Sequence, residues 1–104
     1  MSLTADMQQI DRQVKGVLRT IQHDELDREE AKLVKQLKQL CNEARLDVRD
    51  YEYAETREVQ AKAGVAAHKS LTSVEKCIVR LSGIFGPADV AELSARVDQI
   101  RSRL

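Results

Sequence analysis

One proline, Pro87, and four glycines are the only strong breakers in this 104-residue chain, and the stretch from Val17 to Ala63 contains neither. Such a run, rich in Leu, Lys, Glu, Gln, Arg and Ala, excludes a turn-dense β-fold and favours long helices. Aromatic residues are equally scarce, with no Trp, one Phe and two Tyr. A core must then be built from aliphatic side chains and alanine, as in helix bundles and coiled coils. Excess charge of one sign is missing too, because 17 Lys and Arg balance 17 Asp and Glu. A nucleic-acid binder normally carries a cationic excess to displace counterions, so no nucleic-acid partner is expected. No apolar stretch approaches the roughly 20 residues that span a bilayer, and no membrane partner is expected. The N-terminus lacks the basic start and apolar core of a signal peptide. Cys41 and Cys77 form no CxxC pair and read as free thiols of a cytoplasmic protein.

What is present is helical periodicity. Leu3, Met7, Ile10, Val14, Val17 and Ile21 alternate spacings of four and three, the mark of a coiled-coil-like seam. Continued in the same frame, the pattern meets Asp24, Arg28, Ala31 and Lys35 instead of apolar residues. It resumes in a different frame with Leu26, Leu33, Leu37, Leu40 and Ala44. Asp27 followed three residues later by Glu30 matches an N-cap with a reciprocal carboxylate, which predicts a hairpin near residues 22–27.

The first helix is therefore expected over 4–22 and the second over 27–63, the latter about 50 to 55 Å long. Its leucine-rich first half gives way to an alanine-rich second half around Tyr51, Ala54, Ala61 and Ala63. Thr72 and Glu75 read as a capping box opening a third helix over 72–83, stopped by Gly83. Pro87 suits the first turn of a fourth helix over 88–103. The expected fold is a single all-α domain over 1–104, an antiparallel bundle of three to four helices built on one long central helix with coiled-coil-like packing. Its amphipathic faces exceed what short helices easily cover, which favours a homodimer.

Chemistry finds little support. The two histidines lack a Glu three residues before them, where the chain has Thr20 and Val65, so the Glu-x-x-His signature of di-iron bundles is absent. Cys41, Cys77, His23 and His68 are scattered singly, unlike paired zinc ligands, and the cysteines read as small packed hydrophobes. No phosphate-binding glycine loop, dinucleotide fingerprint or nucleophile elbow occurs. Carboxylates alternate with Lys and Arg as on solvated helix faces. The expectation is a non-enzymatic protein with no cofactor, no metal and no small-molecule substrate.

His68, in Ala66-Ala67-His68-Lys69, is the one candidate nucleophile. Phosphotransfer domains carry an exposed histidine on a helical bundle among small residues, usually with Lys three positions on and then Gly. Here Lys69 is adjacent, Leu71 holds the third position and no glycine follows. A phosphoacceptor role for His68 is thus the alternative reading, beside that of an ordinary surface histidine.

The leading reading is a helical protein–protein interaction module, an adaptor, scaffold or assembly subunit that docks through helix faces. Candidate partner-binding residues are Tyr51, Tyr53, Ala54, Ala61 and Phe85. Tyr51 and Tyr53 point about 200° apart on a helix, so one should pack and the other stay exposed. Phe85, between Gly83 and Gly86, would either plug the bundle end or dock a partner.

Overall fold

The computed structural model describes residues 2–104, with His23 described by its backbone alone. Four α-helices make up the described chain: α1 (Leu3–Arg19), α2 (Arg28–Glu52), α3 (Arg57–Arg80) and α4 (Pro87–Arg103), with a single 3-10 turn at His23–Glu25. No strand occurs among the described residues.

Cross-helix bonds give the topology. Leu3 N–H at the start of α1 donates to the Glu52 carboxylate at the end of α2. Cys77 Sγ donates to the Leu33 carbonyl (3.3 Å) while Ser70 Oγ donates to Asp47 (2.6 Å), so α3 runs antiparallel to α2. Arg101 reaches back from α4 to Thr72 and Glu75 on α3. Arg103 pairs with Asp6 (2.7 Å) and Arg96 donates to Gln9 (2.8 Å), so α4 lies antiparallel to α1 and closes the ring. The result is an all-α, up-and-down four-helix bundle, 47 × 23 × 18 Å.

The core is continuous along this axis. Met7, Ile10 and Val14 of α1 meet Leu37, Cys41 and Val48 of α2, Leu71, Val74 and Ile78 of α3, and Leu93, Val97 and Ile100 of α4, all essentially without exposed surface. Each helix contributes one apolar stripe at spacings of three and four, which is what an antiparallel bundle buries.

The caps explain most of the boundaries. Asp27 accepts from Glu30 N–H (2.7 Å) and the Glu30 side chain reaches back to Asp27 N–H, a capping box that opens α2. Pro87 stands at the start of α4, as its missing N–H allows.

The long central helix expected over 27–63 is corrected, because α2 stops at Glu52 and α3 starts at Arg57. Two helices of nearly equal length, 25 and 24 residues, form the spine instead of one. Thr56 supplies the start signal, its hydroxyl accepting from Val59 N–H (3.2 Å). The turn needs no glycine because no described residue in it takes a positive φ. Gly64 does not end a helix; it lies inside α3, buried against the Tyr51 ring.

Thr72 and Glu75 are also corrected. They sit within α3 and receive the Arg101 guanidinium, anchoring α4 rather than capping a helix. The third helix ends at Arg80, and Ile84 and Phe85 N–H turn back to the Leu81 carbonyl, tucking Phe85 under the bundle end.

Candidate functional site

The α2–α3 turn shapes one concavity of the candidate region. Tyr53 caps the end of α2, Ala54 follows, and α3 leaves at Arg57. A shallow groove of about 690 Å³ results, with Ala54, Ala63 and Ala66 along it and Tyr53 and Val59 on its lips. Tyr53 is 69% exposed and Val59 51% exposed, large apolar surfaces for a chain this short of them. Asp47, Asp50 and Glu55 line it together with Arg49 and Lys62. Asp47 is held at the base of the groove by Ser70. Such a lining offers contact area and charge of both signs.

The five predicted partner-binding residues do not fall on one surface. Tyr53 and Ala54 belong to the α2–α3 groove. Tyr51 turns the other way: its hydroxyl donates to the Leu104 carbonyl (3.3 Å) and its ring packs on the core. Ala61 is exposed on that second side, in a depression shared with Val65, His68 and Leu104. Phe85 is corrected, because it has no accessible surface and fills the bundle end, where apolar burial outweighs any gain from display. Sequence spacing marks Ala63 and Val59 only as part of the thinning half of a helix, and Ala66 only as a neighbour of His68; the turn at 53–56 is what gathers them.

His68 is exposed on α3, with Ala61, Gly64 and Val65 as neighbours across a depression of about 410 Å³. Cys41 and Cys77 are free and buried in the bundle interior, away from that surface. Burial pushes the Cys41 thiol up to about 12, with the nearby Asp11 carboxylate acting in the same direction. Burial raises the Cys77 thiol as well, against the opposing pull of Arg80. The His23 side chain, weighed with these as a metal ligand, lies outside the described residues. Among the described residues no group of three or more His, Cys, Asp and Glu is gathered as a metal ion would need. Nor, among these residues, is any helix long and apolar enough to cross a membrane.

In comparison with known proteins, no family model matches the chain, and neither a curated protein nor a solved structure matches it.

Proposed function

We propose that this chain is a non-enzymatic helical interaction module, an adaptor, scaffold or assembly subunit, and that the α2–α3 groove is its docking face. One observation carries the reading: Tyr53 and Val59 stand exposed on either lip of a floor made of Ala54, Ala63 and Ala66. Small floor residues let a partner backbone approach closely, and an exposed tyrosine is a frequent energetic anchor of interfaces. The occupant is a protein segment with its own apolar stripe, and a second copy of this chain is the homodimeric form of the same reading.

The test compares wild-type chain with Tyr53→Ala/Val59→Asp. A partner retained by the first and lost by the second, with unchanged helix content, supports the groove. Partners that bind both equally place the docking face elsewhere. Sedimentation equilibrium of the two proteins separates a second copy from a different partner.

The exposure of His68 among small residues favours one further reading, a phosphotransfer-like signalling domain that accepts phosphate on its imidazole. Incubation with a labelled phosphodonor, beside a His68→Gln control, tests it. Absence of label on the wild-type chain removes this reading and leaves the docking groove untouched.

A further inference from the structure

The formal charge of zero conceals an uneven surface. Thr4, Gln8, Asp11, Lys15 and Arg19 recur at spacings of three and four along one edge of α1, beside α2. Lys38, Arg45 and Arg49 follow at spacings of seven and four along the facing edge of α2. The outer seam between the two helices opens as two shallow depressions. One is lined by Lys15, Leu18, Arg19, Ile21 and Lys38, the other by Thr4, Gln8, Arg45, Leu46 and Arg49. Neither lining contains a carboxylate.

Two acids sit on these edges: Glu52, which accepts from Ser2, Leu3 and Thr4 at the Thr4 end, and Asp11, which is engaged internally. Asp11 is buried at 7% exposure and bound to Lys15 at 3.0 Å. Arg49 has Asp50 beside it at 3.8 Å, on the exposed surface. Arg19, Lys38 and Arg45 make no ion pair among the described residues. Like charges collected around a groove repel one another, and an anionic occupant relieves that repulsion. The seam is also apolar at intervals, with Leu46 43% exposed towards one end and Ile21 half-buried at the other.

We infer that the α1–α2 seam is a second docking surface, which takes an acidic amphipathic helix of a partner protein. Its apolar stripe would lie along Leu46 and Ile21, with Glu and Asp on its flanks facing Lys38, Arg45, Arg19 and Arg49. The seam from Thr4 to Arg19 is about 22 Å long at helical rise, the length of a four-turn helix. A nucleic-acid backbone fits less well: the seam has no aromatic side chain for base stacking, and apolar groups interrupt its cations. This surface shares Arg49 with the α2–α3 groove and is otherwise distinct from it.

A labelled synthetic helix of about 15 residues tests the inference, with Leu and Ala on one face and Glu on both flanks. Fluorescence anisotropy should show it binding the full chain, weakening about tenfold or more in Lys38→Glu/Arg45→Glu and falling steeply with added salt. Lys38→Gln/Arg45→Gln should give an intermediate loss, and circular dichroism should show both variants folded. A control peptide with Lys in place of Glu should not bind. Tyr53→Ala/Val59→Asp should bind the acidic peptide as the wild type does, so failure of the groove reading leaves this result unaffected. No binding of the acidic peptide, equal binding of the Lys peptide, or an unchanged affinity in the charge-reversed variant overturns the inference. Tighter binding of a duplex oligonucleotide at the same residues overturns it in favour of nucleic acid.

Discussion

The Tyr51 ring occupies the space where a side chain on Gly64 would begin. A Cβ at position 64 would lie 3.3 Å from both Cδ2 and Cε2 of that ring. The absent side chain thus lets the Tyr51 ring of α2 pack closely on α3.

The two helix-interior glycines should therefore respond differently to alanine. A methyl group on Gly16 in α1 would meet nothing within 4 Å. Gly16→Ala should stabilise the protein by about 0.5–1 kcal/mol through helix propensity alone. At Gly64 the same gain is offset, because the Tyr51 ring must shift while its hydroxyl is held by Leu104. Urea denaturation of both variants checks this, and equal gains would show that the ring yields freely.

Leu37 has no exposed surface at the centre of the α2 stripe. Leu37→Asp should cost about 3 kcal/mol or more, since a carboxylate there has no partner and no water. The melting temperature reads the effect; an unchanged value would place this face of α2 in solvent.

Glu52 ties the start of α1 to the end of α2, accepting from Ser2 Oγ (2.6 Å) and from the Leu3 and Thr4 N–H groups. Burial works against its ionisation, but these hydrogen bonds outweigh it and hold the carboxyl below its ordinary value of 4.5. A lowered folded-state pKa means the contribution is present above the unfolded value and is lost as pH falls through the folded one. Wild-type stability should decline below about pH 4.5 more steeply than that of Glu52→Gln. Parallel acid titrations of the two proteins would rule out this role for Glu52.

The thiols give an alkaline counterpart. With its thiol pushed up to about 12, Cys41 stays protonated in the folded chain where the unfolded chain ionises. The unfolded state then binds fewer protons, so stability falls as pH rises above about 9. At neutral pH neither Cys41 nor Cys77 should react with a thiol reagent until denaturant is added. Rapid labelling of the native protein would mean the interior opens more often than its packing implies.

The helical class was legible because periodicity and composition agreed at every point along the chain. Asp27 and Glu30 announced their cap in ordinary capping chemistry. The turn at 53–56 was not legible by the same means, since Tyr53-Ala54-Glu55-Thr56 contains no breaker and needs no left-handed residue. Its only local mark was Thr56, and one hydroxyl is a weak signal against a long helical run. Thr72 and Glu75 misled for the opposite reason. Their spacing suits a cap, yet the same spacing puts both on one helix face, where Arg101 collects them. The cationic seam was hidden by the balanced total, although residues 31–42 hold Lys32, Lys35 and Lys38 and no acid. Half of that seam is supplied by α1, and only the antiparallel pairing of α1 with α2 brings Lys15 and Arg19 beside Lys38.

Ser2 bonds to Glu52 and Leu104 to Tyr51, so the two chain ends are moored to consecutive residues of α2. With α4 already laid against α1, the backbone is nearly a closed loop, and a short peptide from Leu104 to Ser2 would complete it. The bundle should then survive circular permutation, with new ends opened at the 3-10 turn around His23–Glu25 or at the bend before Pro87. A segment joined to Leu104 would leave beside the depression that Leu104 shares with Tyr51, Ala61 and His68.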